Sequence, residues 1–317
     1  MNSTNLIFGC TGQDGSYLSK SLLKKGLNVV GVSRKSHTNI INHKKLEIHN
    51  QFEITKGNLE DCDEIETLIN KYSPNKIYNL SAQSSVGKSF QYPIETQKSI
   101  VDSTINLLET ARRLNYKGEI FFAGSSEIYG NTFEAAKIDS KIDIRSPYAI
   151  AKYQSMILVK FYRETYNLRC MTGALFNHES PLRGTNFITQ KIIHGAINAS
   201  RNRSHKIYLG NIDIARDWGD AEEYVEAMQK ITDSKIIKDY IICTGKATKL
   251  KDFIKIVFKK LNLDWEEHVK QDERFYRKND ISISVGNPSE LEKDLRWKAN
   301  RNIDYIIDNL LDTNLKD

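Results

Sequence analysis

Three glycines at three-residue spacing, Gly9, Gly12 and Gly15, stand in GCTGQDG between an apolar run, NLIFG, and an amphipathic one, SYLSKSLLKKG. Few folds accommodate that arrangement. Glycines between a strand and a helix let the backbone take φ > 0 and let a pyrophosphate approach it closely. The helix that follows offers unpaired N–H groups and the positive end of its dipole. The spacing is GxxGxxG, not GxGxxG, and taken alone it also suits a plain glycine-rich turn. Its place, strand–loop–helix at the start of the chain, points to a dinucleotide.

The alternation continues. NVVGV (28–32), FEITKG (52–57), KIYNLSA (76–82) and EIFFAG (119–124) read as strands. Gly26 is placed to cap the first helix. DCDEIETLINKYSP (61–74) opens on acids and stops at Pro74, as a helix should, and SIVDSTINLLETARRL (99–114) has helical spacing. Repeated β-α units of this kind form a parallel sheet with right-handed crossovers. Beyond Phe176 the rhythm loosens: helix 187–200, strand 206–210, helix 220–231, strand 239–245 and helix 250–261 follow. The expected fold is α/β, a Rossmann-type doubly wound parallel sheet with a smaller, mixed α/β C-terminal substrate domain. Residues 1–175 with about 208–243 should form the dinucleotide-binding unit, and 176–207 with 244–317 the substrate unit.

Composition removes other classes. The net charge of +6 comes from 46 basic against 40 acidic residues, scattered along the chain, so no nucleic-acid stripe is present. Cys10, Cys62, Cys170 and Cys243 show no metal-ligand spacing, and no metal is expected. No apolar run approaches the ~20 residues that span a bilayer. MNSTNLIFG lacks a charged leader region, so the expected location is the cytoplasm.

An acid about twenty residues beyond the glycines would bind the ribose 2′-OH of NAD. Here the end of the second strand reads GVSRKS, with Arg34 and Lys35. A guanidinium binds a 2′-phosphate in two-point fashion, which favours NADP.

SPYAIAK places Tyr148 and Lys152 one turn apart on a helix opened by Ser146 and Pro147. An ammonium beside a phenol favours the phenolate, so the tyrosine pKa should fall and the group can take a hydroxyl proton. Tyr72 and Lys76 share the spacing but straddle Pro74. In AGSSEIYG, Glu127 follows a strand end and two serines. Beside the Tyr/Lys pair it reads as a base.

At this point the chain resembles a known family. GCTGQDGSYL (9–18), IYNLSAQSSV (77–86), SSEIYG (125–130), RSPYAIAK (145–152), LFNHESPLRG (175–184), FITQKI (187–192) and LGNIDIARDWGDAEEYVEAM (209–228) are similar to an extended short-chain dehydrogenase/reductase. Within that group they resemble the GDP-mannose 4,6-dehydratases. The resemblance implies that Tyr148 takes the C4 hydroxyl proton while hydride passes to NADP, with Lys152 holding the ribose and the tyrosine. It implies that Glu127 removes the C5 proton and that Ser125, where the family usually has threonine, bonds the C4 oxygen. Water leaves from C6, hydride returns there, and a 4-keto-6-deoxy sugar results with the cofactor recycled.

The resemblance further implies that Gly9, Gly12, Gln13, Asp14, Gly15, Asn58, Leu59, Leu80 and Ala82 line the cofactor. Ser84, Ser85, Asn177, Lys191, Arg216, Arg277 and Asp280 would hold a GDP-sugar. Homodimers or homotetramers are implied too. Asn58 stands where the family has aspartate, Leu182 where it has the first arginine of RRG, and RKND where it has RPAE. These departures lie at the substrate and nucleotide ends, which leaves a GDP-linked heptose or N-acetylglucosamine open. A 4-epimerase or 4-keto reductase would use the same Tyr/Lys pair but has no need of a base at C5. His178 reads as a hydrogen-bonding scaffold, and Trp218 and Trp297 as packing residues.

Overall fold

The computed structural model describes residues 3–34, 40–277 and 279–316. In chain order its first strands are β1 (Thr4–Phe8), β2 (Asn28–Ser33), β3 (Glu53–Lys56), β4 (Lys76–Asn79), β5 (Glu119–Ala123) and β6 (Cys170–Leu175). There follow β7 (Asn177–Glu179), β8 (Ile207–Leu209), β9 (Ala215–Asp220), β10 (Tyr240–Ile242), β11 (Ala247–Lys249), β12 (Val269–Gln271) and β13 (Ile283–Ser284). The main sheet has the order β10-β6-β5-β4-β1-β2-β3 and every neighbouring pair is parallel. Such strands are buried on both faces and read as near-continuous apolar runs. Ile7, Tyr78, Phe121 and Met171 pack toward one layer of helices, and Leu6, Ile77, Ile120 and Cys170 toward the other.

Local chemistry sets the helix ends. The Gln13–Lys24 helix closes with Gly26 at φ +72, whose N–H bonds Leu23 O at 2.9 Å while Leu27 N–H bonds Leu22 O at 3.1 Å. Both bonds need the left-handed turn that glycine supplies. Asp61 accepts from the N–H groups of Asp63 and Glu64 and so starts the Cys62–Tyr72 helix.

Strand order reverses between β1 and β4, where ligands bind in open parallel sheets. The smaller region stands over that edge. There β9 pairs with β7, β11 and β13, and β8 pairs with β12. Helices Ile188–Arg201, Leu250–Lys260 and Ile303–Lys316 bury Ile192, Phe253, Phe258 and Ile307 in its core. Within the 208–243 stretch, β8 and β9 therefore hydrogen-bond to the later segments. From Ala221 onward the chain packs with the large sheet: Tyr224 and Met228 enter its core, Gln229 reaches Ser21 at 2.9 Å, and β10 pairs with β6.

Candidate active site

A cavity of about 670 Å³ opens at the carboxyl ends of the strands. Gly9, Gly12, Gln13, Asp14 and Gly15 form its first wall, and Arg34, Asn58, Leu59, Leu80 and Ala82 line it farther on. Lys35 lies outside the described residues. Glycine is required twice here. Gly9 has φ +82 and a Cβ on it would stand 2.7 Å from Leu80 O; one on Gly15 would stand 2.3 Å from Gly9 O. This close-packed cradle, under a helix whose N-cap Gly12 brings no capping side chain, fits a pyrophosphate. Ala82 holds φ +111 at the cavity wall, a strained conformation of the kind that gathers at functional sites.

Across the cavity stand Ser125, Glu127, Tyr148 and Lys152. Ser146 accepts Ala149 N–H at 3.1 Å and, with Pro147, starts the Pro147–Tyr166 helix that carries the last two. Lys152 Nζ donates to Ala123 O at 2.7 Å and lies 5.8 Å from the Tyr148 ring centroid. Ser125 opens the Ser126–Tyr129 turn after β5: its Oγ accepts Glu127 N–H at 3.3 Å, and its hydroxyl lies beside the Tyr148 phenol.

The electrostatics differ from the sequence expectation. Burial pushes the Tyr148 phenol up to about 12, with the neighbouring Ser125 hydroxyl easing it only in part. Burial also brings the Lys152 ammonium down to about 8. Desolvation disfavours both charged forms and here outweighs the attraction between them. Burial raises the Glu127 carboxyl as well, opposed by Arg216 and then Arg277, with Asp280 adding to the rise. Arg216, only 5% exposed, donates to Ala215 O at 3.0 Å and pairs with Asp280 at 3.2 Å.

Of the residues expected at the sugar nucleotide, Ser84 and Asn177 line the cavity. Ser85 caps the Val86–Gln91 helix, accepting Lys88 N–H at 3.3 Å. Arg216, Arg277 and Asp280 act on Glu127 from the β9 and 273–280 side. Lys191 places Nζ 4.5 Å from the Phe275 ring. In the NHESPLRG stretch sequence reasoning passed over the lining residue Arg183, and it read His178 as a hydrogen-bonding scaffold without finding its partner. Arg183 lies 3.9 Å over Phe187 and donates to His178 O at 3.1 Å, and His178 faces Asp14. The signal for Arg183 was the density of polar residues in that motif. Leu182 gives the same wall an apolar patch, and Trp218 and Trp297 are buried.

Among the described residues, no group of three or more His, Cys, Asp or Glu is placed to hold a metal. None of their helices is long and apolar enough to cross a membrane.

Solved structures share the whole architecture at low identity. UDP-glucose 4-epimerase from Thermotoga maritima matches with a TM-score of 0.87 at 20% identity, over 99% of both chains. A dTDP-glucose 4,6-dehydratase from Bacillus anthracis in complex with NAD matches with a TM-score of 0.86 at 16% identity, over 99% of this chain and 97% of that one. These establish the fold alone. Sequence relatives go further. GDP-mannose 4,6 dehydratase 1 of Arabidopsis thaliana is 34% identical over 98% of this chain and 89% of its own length. The GDP-mannose 4,6-dehydratase of Sinorhizobium fredii is 34% identical over 92% and 91%. The sequence model of GDP-mannose 4,6 dehydratase matches residues 6–310, and the chain belongs to that family.

Proposed function

We propose that the protein is an NADP-dependent lyase that converts GDP-mannose to its 4-keto-6-deoxy form. The observation that carries this reading is the meeting of Ser125, Glu127, Tyr148 and Lys152 in one cavity with the glycine cradle. The nicotinamide, when bound, supplies the acceptor for the C4 hydride and its return to C6. Tyr148 takes the C4 hydroxyl proton as its phenolate, which the Lys152 ammonium and the Ser125 hydroxyl stabilise. Glu127 takes the C5 proton, made acidic by the adjacent ketone, and gives a proton to the departing C6 hydroxyl, which leaves as water. A solvent-derived proton returns to C5, so atoms and charge balance. An epimerase or reductase has no use for Glu127.

Arg34 at the cavity wall supports NADP over NAD, since a guanidinium suits a 2′-phosphate. RMD from Pseudomonas aeruginosa, complexed with NADPH, supports a nicotinamide cofactor through its TM-score of 0.80. Arg216, Arg277, Lys191 and Asp280 are assigned to the sugar nucleotide, together with Ser84, Ser85 and Asn177. Residues 1–175 and 221–243 serve the cofactor and the remainder the substrate. Ile150, Ile157 and Phe161, all exposed on one face of the Pro147–Tyr166 helix, support assembly of copies, as do exposed Tyr92 and Ile94 nearby. A sugar-nucleotide substrate and a nicotinamide support a cytoplasmic location. The test is turnover of GDP-mannose, GDP-manno-heptose and GDP-N-acetylglucosamine with NADP. Conversion of GDP-mannose to a 4-keto product is expected, and a 4-epimer or no product contradicts it.

A further inference from the structure

We propose that Asp14 is a positioning residue, whose carboxylate grips the protonated ring of His178 and makes the cofactor loop and the substrate loop, here β7 with the turn after it to Arg183, bind their ligands as one unit. The inference rests on the proposed placement of cofactor and sugar nucleotide on those two loops. Asp14 sits between Gly12 and Gly15 in the first turn of the helix, yet its carboxylate turns to a residue 164 positions away: His178 Nε2 lies 3.0 Å from both Oδ1 and Oδ2. The other ring nitrogen, Nδ1, lies 2.7 Å from Phe176 O. A carbonyl and a carboxylate can only accept, so each nitrogen must carry a proton, and the ring is an imidazolium.

Further bonds tie the same two loops. Gln13 donates to His178 O at 3.3 Å and to Asp14 Oδ1 at 3.0 Å, and accepts Ser180 Oγ–H at 2.8 Å. Neither loop can shift without breaking this set. Asn177, His178 and Arg183 line the cavity next to Gln13 and Asp14. A ligand that orders either loop therefore orders its neighbour, which is positive coupling between sites.

The groups facing the ring are few. Asp14 comes from the first helix, Arg183 from the turn after β7, and Tyr224 from the Ala221–Asp233 helix, stacked at 4.7 Å. Tyr17, also from the first helix, lies close to Ser180 beside it. Burial opposes the charge on His178, and Asp14 overcomes it, so the folded pKa lies above the ordinary value. Burial likewise pushes Asp14 up, but His178 outweighs it and holds the carboxyl at about 2. With a raised folded pKa the grip is present at low pH and is lost as pH rises through that value.

The experiment is calorimetric titration of GDP, a non-reacting probe of the substrate loop, with and without NADP at about pH 6 and about pH 9, well to either side of an ordinary histidine. In the wild type NADP should tighten GDP about tenfold at the lower pH, within the usual range of coupling between sites, and much less at the higher. Asp14→Asn and His178→Asn should each remove the coupling and its pH dependence, and the double variant should lose nothing more. Wild-type coupling in Asp14→Asn, or single losses that add, overturns the proposal. So does a wild type whose coupling is the same at both pH values, a result that needs no variant to fold. Failure of the wild type to bind NADP at all would instead strike the placement of the cofactor.

Discussion

The ammonium nitrogen of Lys152 donates to the carbonyl oxygen of Ala123 at 2.7 Å, joining the helix that carries Tyr148 to the end of the strand that delivers Ser125 and Glu127. Burial that brings this lysine down to about 8 has two opposite consequences. Phenolate stabilisation needs the ammonium, so kcat should fall as pH rises above about 8. Stability should move the other way. Between about 8 and the ordinary lysine value of 10.5 the unfolded chain holds a proton that the folded one has shed, and raising pH through that window stabilises. Lys152→Arg, whose charge persists, should lower kcat yet abolish the alkaline fall. A pH–rate profile that keeps its limb near 8 in that variant would assign the limb to another group.

Glu127 has its carboxyl raised by burial and restrained by Arg216. Glu127→Gln should bind NADP normally and lose about 10²–10⁴-fold in dehydration, the scale of general base catalysis. Arg216→Met should leave the carboxyl protonated to higher pH, moving the acid limb of the rate profile upward. An unmoved limb in the arginine variant, or normal turnover in the glutamine one, contradicts these roles.

Ser125 accepts Glu127 N–H and sets its hydroxyl beside the Tyr148 phenol. Removing its hydroxyl in Ser125→Ala should cost about 1 kcal/mol in the transition state, roughly a fivefold to tenfold fall in kcat. Ser125→Thr keeps the hydroxyl and should retain most activity. Steady-state kinetics of the pair decides, and equal loss in both would mean that shape, not the hydroxyl, matters there.

Arg34→Ala should weaken NADP far more than NAD, read as the ratio of the two dissociation constants. An unchanged ratio would free Arg34 from the 2′-phosphate.

The parts visible in the sequence are those set over a few residues. The turn at Gly26, the acid-led start of the helix after Asp61, the glycine cradle and the one-turn spacing of Tyr148 and Lys152 all follow from local backbone preference and periodicity. What depends on enclosure was not readable. The phenol of Tyr148 rises where the Tyr/Lys spacing argued for a fall, because burial is settled by the surrounding elements and not by Lys152. The partner of Asp14 lies 164 residues on, and alternating strands and helices carry no record of which loops meet. Strand β9 escaped for a related reason: ARDWGD buries Arg216, Asp217 and Asp220 and so shows neither apolar alternation nor an apolar run.

Turnover of GDP-mannose in heavy water, with the product read by proton NMR, tests the central claim most directly. The account predicts a 4-keto-6-deoxy product with solvent deuterium at C5, placed there after Glu127 has removed the original proton. A product without deuterium at C5 would contradict elimination at this site.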